Sequence, residues 1–197
     1  MFTNWLVAMH LAVAGPAANI RSAGAAPDSG LHHGADAAPA AGVAWRRERR
    51  SMQLDLHAPA REAFPLFGPV REGEWVPGWE PRFVAPSSPA QGPDGAVFTT
   101  QGHGGDNIWV MTAYDSIEHH VAYVMLKPDR FIAEIDIRVA SAGTRSCKAD
   151  VVYRYTALSE EGNRFIEHWV QHWPDEAPHW TNAINGRLAS LGWSATR

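Results

Sequence analysis

The chain has 197 residues, of which 45% are hydrophobic, enough for one domain with a real core and an extension. A formal net charge of -4 leaves no basic footprint, so nucleic acid and anionic membrane surfaces are excluded as electrostatic partners. With Cys147 as the one cysteine there is neither a disulfide framework nor a CxxC zinc site, and its place in an apparent strand points to core packing rather than redox chemistry.

The N-terminal region opens with the apolar run WLVAMHLAVAG, a signal-like segment over residues 5–15 that is too short to span a bilayer and has no Lys or Arg before it. Ala, Gly, Pro and Ser then dominate up to residue 44. The composition predicts a flexible extension over 1–45, which reads as a tail, a signal peptide or a misassigned start, and a folded domain over 46–197. The expected location is the cytoplasm, or outside it if the apolar segment directs export; stable membrane insertion is not expected.

In MQLDLHAP, Met52, Leu54 and Leu56 alternate with Gln53, Asp55 and His57, the pattern of a half-buried strand. AREAFPLFGPV predicts a short helix from Pro59, broken by Pro65, Gly68 and Pro69, and small helices and turns fill the space up to Glu80. The stretch GEWVPGWEP then sets Trp75 and Trp79 on either side of a Pro77-Gly78 turn.

Beyond it come five β-rich runs, AVFTTQ, NIWVMTAY, IEHHVAYVML, RFIAEIDIRVA and SCKADVVYRYTAL, separated by short turn-type breaks that favour antiparallel pairing. Phe131, Ala133, Ile135, Ile137 and Val139 occupy one face of their strand, and Cys147, Ala149, Val151, Tyr153 and Tyr155 one face of the next. A sheet with one dry and one wet face follows. The run around Trp109 is apolar on both sides, which leaves its face open. Towards the C-terminus, Ile166, Trp169, Val170 and Trp173 recur at helical spacing, as do Trp180, Ile184, Leu188 and Leu191 beyond Pro174. Asp175 is placed to cap the second helix. The two helices are expected to lie as one long, hinged element over the dry face.

This order, with the words APAREAFPLFGPVREGEWVPGW, VFTT, NIWVMTAYD, VVYRYTALSEEGN and HWTNAINGRL, resembles the START-like (SRPBCC) superfamily over roughly Arg49 to Trp193, in particular an uncharacterised bacterial branch. The resemblance implies an α+β helix-grip fold: a curved antiparallel sheet of about six to seven strands around a long C-terminal helix, with two small helices after the first strand. It implies binding of a small hydrophobic or amphipathic molecule between sheet and helix by a carrier or sensor. The alternative is a cyclase- or dehydratase-type enzyme without metal, acting on a polyketide-like or other hydrophobic substrate. The superfamily has no universal catalytic motif, so the catalytic residues stay unknown.

The side chains expected to line such a cavity are Trp75, Trp79, Trp109, His119, Tyr123, Tyr153, Tyr155 and Trp169. Trp75 and Trp79 read either as plates beside its mouth or as plugs at the end of the core, and core is the commoner fate of a packed aromatic. His119 and His120, adjacent on a predicted strand, point to opposite faces; the inward one is a candidate acid-base group. His168 and His172 are four apart, but Pro174 separates them from Asp175 and His179, the HExxH order is absent, and the stripe faces solvent, so no metal site and no cofactor is expected. TTQGHGGDNIW lacks the Lys-Ser/Thr of a phosphate loop and precedes a strand, which makes it a hairpin loop. The expected assembly is a monomer or homodimer with a small-molecule partner.

Overall fold

In a computed structural model of the protein, residues 44–85, 94–102 and 106–194 are described. The expected N-terminal extension with its signal-like segment, up to residue 43, and the centre of the GHGGD loop lie outside them.

Seven strands form one antiparallel sheet: β1 (Arg47–Leu56), β2 (Arg82–Ala85), β3 (Val97–Thr100), β4 (Asn107–Asp115), β5 (His120–Lys127), β6 (Phe131–Gly143) and β7 (Ser146–Ala157). Their order is β1-β7-β6-β5-β4-β3-β2, so the consecutive strands β2 to β7 run as a meander and β1 closes the far edge against β7. Register shifts on β2, β4 and β6 mark the irregularities that let such a sheet bend. The chain has the curved α+β sheet and long C-terminal helix that its resemblance implies.

The alternation in β6 and β7 does what the sequence asks of it. Phe131, Ala133, Ile135, Ile137 and Val139 are buried on the dry face, as are Cys147, Ala149, Val151 and Tyr155. Trp109 joins them, together with Met111 beside it in β4 and Val121, Tyr123 and Met125 in β5. Burial pushes the Cys147 thiol up to about 11, which suits an inert core residue.

Two strands differ from expectation. β1 begins at Arg47, five residues before Met52, because Arg47 to Ser51 pair with β7 from Thr156 to Val152; the ladder, not apolar alternation, extends it. β2 is absent from the sequence reading. It is an edge strand of four residues after Pro81, held by pairing with β3 and by Phe83 against Phe98 at 5.5 Å, too short to show a period.

After β1 the chain makes α1 (Ala60–Ala63), which tightens at Pro65 into a 3-10 turn over Phe64–Phe67, and a second 3-10 turn follows over Arg71–Glu74. These are the two small helical pieces expected there. Val76 to Trp79 then form a turn closed by the Trp79 amide donating to the Val76 carbonyl at 3.2 Å, with Gly78 at φ 77°, a backbone setting that suits Gly after Pro.

The C-terminal segment consists of α2 (Glu160–His172), a 3-10 step over Trp173–Asp175, and α3 (Glu176–Ser190). Ser159 caps α2, its hydroxyl accepting from the Gly162 amide at 3.1 Å. Pro174 does not break the chain's helical course, so Asp175 keeps helical backbone angles and makes no side-chain cap, contrary to expectation. Leu191 also departs from the predicted stripe: the helix has ended, Gly192 turns at φ 90°, and Leu191 is exposed. Ile166, Trp180, Ile184 and Leu188 are buried against the sheet.

Both ends of this segment are fastened to the sheet. Near α3's C-terminal half, Asn185 donates to the Asp55 carbonyl at 3.0 Å and accepts from the His57 amide at 2.9 Å. At the start of α2, the Arg46 amide donates to Asn163 Oδ1 at 2.7 Å. Beside it, Gly162 lies so close to the β5–β6 hairpin that a Cβ there would run into the Arg130 carbonyl oxygen. Gly162→Ala is therefore expected to destabilise the protein by about 1–3 kcal/mol, as overpacking against rigid backbone does. Chemical denaturation of both proteins measures this, and an unchanged midpoint would show that α2 can shift away without loss.

Candidate functional site

The dry face carries a continuous aromatic layer, which divides into two groups. In the first, Tyr155 stacks near Tyr153 at 5.9 Å and contacts Trp169 at 4.5 Å, Phe131 at 5.2 Å and Phe165 at 5.8 Å. Tyr153 in turn meets Trp169, Trp173 and Trp180 at 6.0, 5.9 and 6.3 Å, rings that come from both sides of the Pro174 step. Trp180 continues to Trp75 at 5.1 Å. In the second group, Trp79 meets Trp109 at 5.3 Å, Trp109 stacks on Phe98 at 5.8 Å, and Tyr123 stands edge-on to Trp109 at 6.0 Å.

The two indoles of GEWVPGWEP thus belong to different groups, and both spend their N–H on the backbone just before them. Trp75 Nε1 donates to the Leu66 carbonyl at 2.7 Å and Trp79 Nε1 to the Pro69 carbonyl at 2.6 Å. Trp75 is buried and Trp79 half-buried. Their polar edges pin the 3-10 turns; what they offer the interior is apolar ring. Trp109 Nε1 donates to Thr100 Oγ1 at 3.0 Å, and the Tyr123 hydroxyl to the Phe67 carbonyl at 2.8 Å.

Tyr155 is different. Its ring is fully buried and its hydroxyl has no hydrogen-bond partner among the described residues, and burial raises its phenol far above the ordinary value. Tyr153, next but one in β7, is raised too, first by loss of hydration and then by neighbouring Tyr155, Glu72, Glu176 and Tyr123, yet it retains accessible surface. Tyr153, ringed by Tyr155, Trp169, Trp173 and Trp180, is thus half-buried where Tyr155 is fully buried.

Of the expected lining residues, Trp75, Tyr153, Tyr155 and Trp169 lie in the first group, and Trp79, Trp109 and Tyr123 in the second. His119 belongs to neither: it is not on a strand but in the turn before β5, at φ 49°, with its ring 5.5 Å from Phe64. The argument that adjacent strand positions send His119 and His120 to opposite faces therefore fails. His120 sits on the wet face, where its Nε2 is 2.9 Å from Asp136 Oδ2. His168 and His172 lie 4.3 Å apart, their rings tilted, on the outer side of α2, and no three His, Cys, Asp or Glu side chains among the described residues are grouped to hold a metal ion.

Three ionisable groups escaped the sequence reading. Lys127 ends the buried series Val121, Tyr123, Met125, and shares one end of the dry face with buried Thr100 and Asn107; burial lowers its ammonium. Glu176 opens α3 at the Pro174 step, accepts from Trp180 Nε1 at 3.1 Å, and is raised mainly by burial. Glu72 lies in the 3-10 turn before Trp75. Among the described residues it makes no ion pair and no side-chain hydrogen bond, and burial pushes it up to about 8. Its charge also contributes to raising the phenols of Tyr123 in one aromatic group and Tyr153 in the other. Two positions on, Glu74 is held down to about 2, chiefly by the hydrogen bond from Arg71 and with further help from Arg187, at 2.9 and 2.7 Å on the outer side.

No established protein family and no curated protein matches the chain by sequence. Solved structures do match by shape. A norcoclaurine synthase point mutant from Thalictrum flavum, in complex with a transition-state analogue, aligns with a TM-score of 0.57 at 13% identity, covering 77% of this chain and 99% of that one. The Zhui aromatase/cyclase from a Streptomyces species gives 0.56 at 14% identity over 76% and 98% of the two chains. A START superfamily protein from Mycobacterium smegmatis gives 0.54 at 15% identity over 73% and 98%. At such identities the likeness speaks to fold, and the fold is START-like.

Two stability predictions follow from the buried polar groups. In Glu72, the folded protein holds a proton that the unfolded chain releases near pH 4.5, so stability is full below that pH and falls as pH rises towards 8. Glu72→Gln removes this loss: the variant should melt above the parent at pH 8 and beside it at pH 4, and equal melting temperatures at both would show that Glu72 reaches water freely. Tyr155→Phe removes an unpartnered hydroxyl whose burial costs about 1–3 kcal/mol. The variant, freed of ligand, should be at least as stable as the parent; a clear drop in its denaturation midpoint would mean that the hydroxyl has a partner in solution.

Proposed function

We propose that the protein binds a small hydrophobic or amphipathic molecule in the recess between the dry face of the sheet and the C-terminal helical segment, as a carrier or sensor. The observation that carries this reading is Tyr153, which keeps accessible surface although rings from β7, α2 and α3 surround it. A flat apolar ligand gains dispersion contact from those rings and loses no polar solvation. The Tyr155 hydroxyl next to it supports the same reading, because a buried phenol without a partner is satisfied most cheaply by a ligand atom.

A second reading has support of its own. A cyclase- or dehydratase-type reaction on a hydrophobic substrate needs a group that exchanges protons near neutrality, and Glu72, raised to about 8 by burial, answers to that description. His119 and His120, the histidines first considered for such a role, stand apart from the aromatic groups.

Binding is tested by native mass spectrometry of protein purified from its own host and by titration with Nile red, an uncharged dye. The expected result is a single saturable site that Tyr153→Ala and Trp169→Ala each weaken by about tenfold, in line with loss of a well-packed aromatic contact. Unsaturable dye uptake, or binding indifferent to both substitutions, would refute the location.

A further inference from the structure

The outer face of the sheet divides into two unlike halves. Where β6 and β7 meet β1 it is charged and knitted by ion pairs: Glu134 with Arg154 at 3.6 Å, Arg138 with Asp136 at 3.4 Å and Lys148 with Asp55 at 2.9 Å. Toward β3 the charges stop. Ile108, Leu126 and Ile132 stand in one register row across β4, β5 and β6, and Val97, Val110 and Val124 stand in the next, across β3, β4 and β5. Their strand neighbours Phe98, Trp109, Met125 and Phe131 are buried inward, so alternation turns these aliphatic side chains outward, where each is half-buried. The block they form has no group that could pair by charge or hydrogen bond.

The apolar character continues to the end of the face where the chain enters the domain. Thr156 of β7 pairs with Ile132, and two positions further on Leu158 is 42% exposed. The Ala157 amide donates to the Arg46 carbonyl at 2.9 Å, which brings Trp45, 50% exposed, to the same end. Two large apolar side chains are thus left in solvent where the upstream chain arrives. That upstream chain carries the uncharged apolar stretch WLVAMHLA, residues 5–12, and about thirty residues separate it from Trp45. A chain of about thirty residues reaches about 30 Å as a random coil, whereas the sheet from β1 to β3 spans about 24 Å. The stretch can therefore reach any part of the block.

We propose that the aliphatic block on the outer face is the docking surface for residues 5–12 of the same chain, whose apolar side chains cover Ile108, Leu126 and Ile132. The proposal is independent of ligand binding on the dry face. Area decides between this occupant and a second copy of the protein. Half-buried aliphatic side chains in this number offer on the order of 300 Å², the size of an ordinary functional patch. A stable interface between two separate chains needs about 800 Å² from each. A tethered segment is not held to that requirement, because its local concentration is about millimolar and a small apolar contact is enough to keep it in place. The charged half of the face, already paired within itself, gives the stretch nothing to bind.

The test puts the photo-crosslinking amino acid benzoylphenylalanine in place of Leu126 in the full chain, and in place of Val110 in a second protein, so that a folding failure at one position leaves the other to read. Circular dichroism checks the fold of each. Illumination followed by peptide mass spectrometry should join the probe to residues 5–12 within a single chain. The same probe in place of exposed Arg138, on the charged half, should give little of this product. Leu6→Asp combined with Leu11→Asp should lower the yield from position 126 by at least about fivefold, because two large side chains lose their burial. Adducts of doubled mass that grow with protein concentration would assign the block to a second copy and overturn the proposal. An equal yield from position 138, a yield unmoved by the two aspartates, or no crosslink to residues 5–12 would overturn it as well. So would an intact mass, measured on protein from its own host, showing that the mature chain starts beyond residue 12.

Discussion

The apolar face of a seven-stranded sheet has to be covered along its whole length, and in this protein one bent helical segment does most of it. The segment cannot follow the face as a straight rod. α2 packs on β7 and α3 on β1, and the Trp173–Asp175 step lets the two take different directions without breaking the helical path. Gly162 brings the first turn of α2 onto the β5–β6 hairpin, and Asn185 locks α3 to the end of β1. With both ends fixed, the bend falls opposite Tyr153, where the large rings of Trp169, Trp173 and Trp180 meet it.

That geometry explains why the proposed binding residues are also packing residues. Aromatic rings at 5–6 Å separations give apolar bulk without the complete interlocking of branched aliphatic side chains. Around Leu54, Ile166, Ile184 and Leu188 the core is closed. Around Tyr153 it is not. The 3-10 turns after β1 shut the remaining side, their indoles tied back to their own backbone so that apolar faces alone are turned inward.

Much of this was legible in the sequence, because it is written in periods. Alternation placed the inward residues of β6 and β7, and helical spacing placed Ile166, Trp180, Ile184 and Leu188. What escaped was fixed by something other than a period. β2 is four residues long, and the first half of β1 is a charged stretch carried by its partner's ladder. His119 was read as a strand residue because its neighbours are strand formers, whereas the turn demands a positive φ there. Leu191 continues the helical stripe on paper, one residue past the helix. The aromatic groups were legible; the raised acid was not. Glu72 sits in a run, REGE, that looks like a solvated face, and a single 3-10 turn is too short to announce which side is inward. Lys127 did leave a signal, since it extends the series Val121, Tyr123, Met125 by two.

Glu72 and Glu74 show how little sequence distance is needed to separate two chemistries. Both are glutamates in one turn, and their proton affinities are driven in opposite directions, one up to about 8 and the other down to about 2. The two arginines supply the difference. Arg71 could in principle serve either acid, but pairing with Glu74 lets it stay at the surface and share that carboxylate with Arg187, which ties the turn to α3. Moving a guanidinium inward to Glu72 would require desolvating a second charge among tyrosines, a penalty that the ion pair would struggle to offset. Once the outer cluster forms, the inner acid is left to keep its proton. The same contact that fastens the turn to the terminal helix therefore also separates the proton affinities of the turn's two acids.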